Sequence, residues 1–300
     1  MLKFRELQIE DKQLADKILY PLNYRLCEFC FGDLFLWRKI YNTEIAFEND
    51  FMFIRYLSDD KRYYLFPAGS GDIKSALRKI YRQALEEGDE FRLACITPEM
   101  KEEIEEYFPG VFEYTPVRSS FDYIYNASDL ITLAGRKFHS KRNHISRFEK
   151  LGNWKYEDIT KDNISLCEEM SDEWCKINGC KNNVGLFNES CAVKQAFKHF
   201  FDLGLSGGVL YLEGRVVAFS MGQKLCNDTY IVHIEKAFSD VEGAYTMINR
   251  EFAAHNCQDF VYINREDDAG DEGLRKAKLS YHPAILLEKN YAVLKDGATL

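Results

Sequence analysis

Residues 232–283 read VHIEKAFSDVEGAYTMINREFAAHNCQDFVYINREDDAGDEGLRKAKLSYHP, and the order of elements within them decides the fold. A strand ends at Glu235. A loop carrying Gly243 enters a helix on which Ala244, Met247, Ile248 and Phe252 fall on one face, the spacing of a half-buried helix. A strand follows over 260–264, then an acidic loop, then a second helix that ends at Tyr281, His282 and Pro283. The polar residues of this strand–loop–helix–strand–helix unit gather at the strand ends, where open α/β sheets hold ligands.

Working outward, three antiparallel strands precede it, at 208–212, 215–222 and 229–235, with turns at Glu213-Gly214 and Asn227-Asp228. Helices around 163–177 and 190–203 and an extended run at 154–159 come before these. The first half repeats the order. Strands at 44–47, 51–57 and 63–66 turn at Asn49-Asp50 and at residues 58–61. Asp72 then caps a helix whose Ile73, Ala76, Leu77, Ile80, Tyr81, Ala84 and Leu85 form one apolar stripe. A strand at 91–96, a helix opened by Thr97-Pro98 and an extended run over 111–125 follow. Corresponding elements of the two halves are offset by about 170 residues, which suits two copies of one domain rather than a solenoid. We therefore expect an α+β chain of two tandem domains, residues 1–134 and 151–300, each a mixed, mostly antiparallel sheet flanked by helices. Residues 135–150 form a basic helix linking them, and one strand over 284–293 closes the second domain. Residues 5–20 are expected to be helical, and the aromatic segment 26–41 to cover a core.

A chain of 300 residues with net charge −9 is not built wholly to coat nucleic acid or membrane, although a local basic patch is compatible with it. The opening MLKFRELQIEDKQ is too polar for an export signal, and no apolar run approaches the roughly 20 residues of a membrane span. Nine cysteines, an odd number, then read as free thiols in a reducing cytoplasm. Cys27-x-x-Cys30 has redox spacing but sits in an aromatic run, so its thiols read as structural. Cys175 and Cys180 have no His at ligand spacing, and no metal is expected. A serine nucleophile elbow, a Walker loop and a dinucleotide fingerprint are absent.

Four segments carry a family resemblance: FGDLFLWRKIY at 31–41, LAGRKFHSKRNHISRFEK at 133–150, IEKAFSDVEGAYTMINREF at 234–252 and NREDDAGDEGLRKAKLSYHP at 264–283. They resemble a bacterial family related to the C-terminal domain of phosphatidylglycerol lysyltransferase, which is similar in turn to the Fem-type peptidoglycan aminoacyltransferases. The element order resembles a tandem of GNAT acyltransferase domains. The resemblance implies a transferase that moves an acyl or aminoacyl group from a coenzyme A thioester or an aminoacyl-tRNA. The acceptor would be an amine or hydroxyl on a small molecule, a lipid or a peptide. With no membrane span, a lipid acceptor requires peripheral membrane contact. A tandem fold of this kind that has lost its chemistry and only binds a ligand or tRNA is the alternative.

The GNAT pattern places a glycine loop at a helix start, where backbone N–H groups hold a diphosphate. Gly243 and Ala244 match it in the second half, with Asp240 and Glu242 where neutral or basic residues are usual. Gly69 and Gly71 precede the corresponding helix of the first half, where a simple turn is the plainer reading. The pattern also implies a Tyr four residues after an Ala as proton donor to the leaving group, a spacing kept by Ala277 and Tyr281. From the residues themselves, Glu266 and Asp267 stand nearest the strand end as candidate bases, with Asn264 beside them. His233 and Glu235 share one face of their strand, and His titrates near neutrality. Arg136, Lys137, Lys141, Arg142, Arg147 and Lys150 set six positive charges against Glu149, with His139 among them, a composition that suits a polyanionic donor. Lys276 on the last helix faces either phosphate or water.

Overall fold

In the computed structural model, which describes residues 1–300, the first half of the chain carries β1 (Arg5–Glu6), α1 (Lys12–Leu22), α2 (Phe31–Trp37), β2 (Glu44–Glu48), β3 (Phe51–Ser58), β4 (Lys61–Tyr64), α3 (Ile73–Glu87), β5 (Arg92–Ile96), α4 (Pro98–Tyr107), β6 (Phe112–Pro116) and β7 (Asp122–Asn126). The second half carries α5 (Ala127–Thr132), α6 (His139–Phe148), β8 (Trp154–Asp158), α7 (Ile164–Ile177), α8 (Val184–Lys198), β9 (Ser206–Leu212), β10 (Arg215–Lys224), β11 (Thr229–Ala237), α9 (Ala244–Asn256), β12 (Tyr262–Asn264), α10 (Glu272–Leu279), β13 (Ile285–Leu287) and β14 (Asn290–Leu294). The architecture is α+β, with two mostly antiparallel sheets flanked by helices.

The first unit comprises Met1–Tyr123, Asp267–Lys276 and Leu286–Leu300. Its sheet runs β1-β2-β3-β4-β5-β14-β6. The meander turns are made by Asn49-Asp50 (φ 49° and 62°) and Asp59-Asp60 (φ 49° and 58°). Short polar side chains tolerate this left-handed backbone. Asp72 caps α3 by accepting from the Ser75 N–H at 3.0 Å. The helix buries Ile73, Ala76, Leu77, Ile80, Tyr81 and Ala84, leaves Leu85 exposed at the edge of the stripe, and stops at Gly88, whose φ is 77°. Only β4 and β5 run parallel, touching at Tyr64 and Leu93.

The second unit comprises Ile124–Glu266 and Ala277–Ile285. Its sheet runs β13-β7-β12-β11-β10-β9-β8. Strands β8 to β11 form an antiparallel meander, turned between β9 and β10 at Glu213-Gly214. A parallel β11–β12 pair and an antiparallel β12–β7 pair follow. Helix α9 buries Ala244, Met247, Ile248 and Phe252, the stripe read from the sequence.

Five sequence expectations change. The chain does not divide at 134–151. The runs 111–125 and 284–293, read as one extended segment each, are both broken, and each sends one strand to each sheet. Pro116 ends β6 because it has no N–H for the ladder, and a 3-10 turn at Arg118–Ser120 separates it from β7. Glu288 and Lys289 separate β13 from β14. Residues 135–150 are not a linker, since α6 packs on α9 inside the second unit. The N-terminal helix starts at Lys12 rather than 5, because Arg5 and Glu6 pair with β2. Finally, Cys175 and Cys180 form a disulfide rather than free thiols, while the other seven cysteines are free. No helix is long and apolar enough to cross a membrane.

Candidate active site at the end of the parallel pair

In the second unit, the β11–β12 ladder covers only Thr229–Ile231 against Tyr262–Asn264. Strand β11 then continues to Ala237 while β12 turns away. This divergence opens an edge at the carboxyl end of the pair, the place expected for a ligand. The turn is fixed by Asn264, which is fully buried and accepts the Glu266 N–H at 2.6 Å. That bond holds Glu266 at φ 56°, backbone that a non-glycine residue adopts at a cost and that recurs at functional sites. Asn264 was a candidate donor-binding residue; it shapes the turn from within instead.

Two pairs of polar side chains meet at this edge. Glu266 accepts from His233 Nδ1 at 2.7 Å, and Gln223 Nε2 lies 3.0 Å from His233 Nε2. The His233 side chain is 1% exposed and that of Glu266 18%. With both ring nitrogens engaged, His233 holds the Glu266 carboxylate in place, and Glu266 is the member of the pair positioned to act as a base. Two residues along the same face, Glu235 accepts from Arg265 Nη2 at 2.8 Å and from Asn249 Nδ2 at 3.0 Å. His233 and Glu235 thus share a face, as expected, but each has a different partner. Burial alone would lower the Arg265 pKa; Glu235, with Tyr125 and Tyr281, more than offsets this and holds it above its ordinary value. Arg265 Nη1 and Asn249 Oδ1 are buried without hydrogen-bond partners. Such groups cost free energy unless something pairs with them, so a donor and an acceptor stand ready for a ligand.

Tyr281 lies behind this pair, 6% exposed, with the Arg265 guanidinium 5.1 Å from its ring centre and Tyr125 edge-on at 6.4 Å. Burial pushes its hydroxyl pKa up, against the opposing influence of Arg265. Lys141 from α6 sits 3.7 Å over the Tyr281 ring and donates to Ser280 Oγ at 2.6 Å. Burial, aided by Arg265, pushes Lys141 down to about 8.

The other candidates do not join this cluster. Gly243, at φ 82°, starts α9 where an added Cβ would strike the His144 carbonyl oxygen and Phe148. Its need for glycine comes from packing against α6, and Ala244 is buried behind it. Gly69 and Gly71 press against the Phe51 ring. Gly69 also lines a groove of about 480 Å³ with Lys17, Glu48 and Asp50. The start of α3 is already taken by the Asp72 carboxylate, which repels a second anion. Lys137 pairs with Asp129 at 2.9 Å and Arg147 with Glu242 at 2.6 Å. Arg142 donates to the carbonyls of Leu133 and Gly135. Arg136 and His139 are exposed, as is Lys276. Asp267 accepts the Ala269 N–H at 2.9 Å and begins the segment that belongs to the first unit. The acid after it, Asp268, is fully buried there and takes bonds from Tyr123, Arg118 and Arg275.

Sequence reading missed a buried cluster in the first unit. Lys289 Nζ lies 2.7 Å from Glu28, 2.8 Å from Asp122 and 3.3 Å from Cys27 Sγ. The signal was charge inside each of two apolar runs: Asp122 in FDYIY, and Lys289 with Glu288 beside it in LEKNYAVL.

Residues 21–293 match the family model described as phosphatidylglycerol lysyltransferase, C-terminal. The crystal structure of a conserved protein of unknown function from Bacteroides thetaiotaomicron is 40% identical, covers 98% of this chain and 100% of its own, and superposes with a TM-score of 0.94. The C-terminal domain of a protein described as a lysylphosphatidylglycerol synthetase, from Agrobacterium fabrum, is 13% identical over 96% of this chain and 92% of its own, with a TM-score of 0.68. The crystal structure of FemX is 9% identical over 98% of both chains, with a TM-score of 0.55, a likeness of fold. The chain spans 55% of a curated relative, an uncharacterised protein of Mycoplasmoides gallisepticum, at 25% identity over 57% of this chain.

Proposed function

The chain belongs to the family of phosphatidylglycerol lysyltransferase C-terminal domains, and from that premise we propose that it transfers an aminoacyl group from aminoacyl-tRNA to a hydroxyl or amine acceptor at the β11–β12 edge. The observation that carries this reading is the His233–Glu266 pair at the diverging strand end, beside Arg265 and Asn249 with atoms left unpaired. Glu266, the member of the pair that reaches solvent, takes the acceptor's proton as its oxygen or nitrogen attacks the ester carbonyl, while His233, held at Nε2 by Gln223, donates from Nδ1 and orients the carboxylate. The ester C–O bond to the ribose breaks, and the departing oxygen takes a proton from Tyr281, whose burial keeps the phenol protonated. Aminoacyl-tRNA is preferred over acyl-coenzyme A because both glycine loops are filled by packing, and the first is capped by a carboxylate.

The test is transfer of a labelled amino acid from charged tRNA to phosphatidylglycerol vesicles. Glu266→Gln should lower the rate by about 100-fold with little change in melting temperature, and Tyr281→Phe should lower it as well. Wild-type turnover in Glu266→Gln removes the base. Thermal stabilisation by coenzyme A and not by tRNA would overturn the donor assignment.

A further inference from the structure

We propose that the tip of the α7–α8 hairpin in the second unit is a docking surface for an anionic lipid bilayer. Helix α7 ends at Ile177 and α8 begins at Val184, joined by a 3-10 turn at Cys180–Asn182. Three large apolar side chains stand out from this tip: Ile177 is 62% exposed, Val184 78% and Phe187 50%. Val184 and Phe187 lie three residues apart, on one helix face. Isolated exposed apolar residues are ordinary on a soluble surface, but three at one hairpin tip are not.

The tip is braced, so its apolar side chains are held outward. The Cys175–Cys180 disulfide ties the end of α7 to the turn. Gly179 takes the left-handed conformation at φ 67°. Asn183 caps α8 by accepting the Leu186 N–H at 3.0 Å. A surface ordered in advance loses little conformational entropy when it docks.

Charge selects the occupant. In a chain of net charge −9, residues 176–188 contain no acid, while Lys176 and Lys181 are exposed among the apolar side chains. The nearest acids are already paired: Glu189 with Lys236 at 2.7 Å, Glu173 with Arg215 at 2.7 Å, and Asp172 with Lys194 at 3.8 Å. Lysine is depleted from protein–protein interfaces. Lysines beside protruding apolar groups are what a negatively charged bilayer surface accepts, the apolar groups entering below the headgroups and the ammonium groups meeting phosphates. This inference stands whether or not the chain transfers an aminoacyl group.

Sedimentation of the whole protein with vesicles tests it, without donor or acceptor turnover. Vesicles containing phosphatidylglycerol should bind the protein, and pure phosphatidylcholine vesicles should bind it far less. High salt should weaken the binding. The double variant Val184→Ser, Phe187→Ser should lose about tenfold or more in affinity, and Lys176→Glu with Lys181→Glu should lose the preference for phosphatidylglycerol. Because all four positions are exposed, their circular dichroism melts should match wild type, which separates docking from folding. The proposal is overturned if wild-type protein binds neither vesicle, or if the serine variant binds as wild type does. It is also overturned if that variant changes only self-association in analytical ultracentrifugation.

Discussion

The two units share a strand order and differ in how fully their buried charges are satisfied. Each sheet has a four-strand antiparallel run, one parallel pair and a strand contributed by the other half of the sequence. Beside this architecture the first unit holds Lys289, 1% exposed, with Glu28, Asp122 and Cys27 all within bonding reach of its ammonium group. All the N–H groups of its ammonium are engaged. The second unit holds Arg265 and Asn249, each with one buried polar atom unpaired. A saturated cluster supports a fold, whereas an unsaturated one beside an open edge invites a ligand.

The largest effect that could break this comparison is at Lys289. Replacing it with Met leaves two carboxylates without their counter-charge in a buried site, which costs about 3–5 kcal/mol. Urea denaturation of Lys289→Met should show this loss. A loss below about 1 kcal/mol would mean that Asp122 reaches water, and the first unit's cluster would then not be a buried structural one.

How much of this could be read in advance follows from which interactions are local. The meander turns, the Asp72 and Thr97 caps and the stripes of α3 and α9 were visible because dihedral preference and helical period act over a few residues. The exchange of β7 and β14 was not, because strand pairing between residues far apart in the chain, such as Ile263 with Tyr125 or Ile96 with Asn290, leaves no local trace except a break. Both breaks do carry a sign: Asp122 and Lys289 stand at them, and they bond each other at 2.8 Å. At the candidate site, His233, Glu235 and Glu266 were readable as polar residues at strand ends. Their partners were not, since Gln223 and Asn249 come from a neighbouring strand and a helix face that look like ordinary core positions.

A somewhat smaller effect sharpens the view of the acidic loop as part anchor, part site. Asp268 is fully buried. Burial alone would raise its pKa, but bonds from Arg275 and Tyr123 outweigh it and hold the carboxyl well below the usual carboxylate range. A depressed folded pKa stabilises fully above the unfolded value near 4 and is lost as pH falls below it. Asp268→Asn should therefore cost about 3 kcal/mol at neutral pH, and the gap to wild type should narrow as pH drops below about 4. A gap that is constant from neutral to strongly acidic pH would show that the carboxylate charge is not what holds the loop.

The smallest effects compare one helix in its two copies. In the first unit Asp72 satisfies the start of α3 with a side chain; in the second, α9 starts at Gly243 with no side-chain cap. Gly243→Ala adds a Cβ at φ 82°, against the His144 carbonyl and Phe148, so left-handed strain and overpacking act together. The expected cost is about 2 kcal/mol, read as a lowered melting temperature. Asp72→Ala removes only an exposed cap and should cost less. It should also free the N–H groups of α3, so that phosphate or coenzyme A stabilises the variant more than wild type. If Asp72→Ala gains no anion response, the carboxylate is not what closes that helix start, and the case against a thioester donor rests on the packing of Gly69 and Gly243 alone.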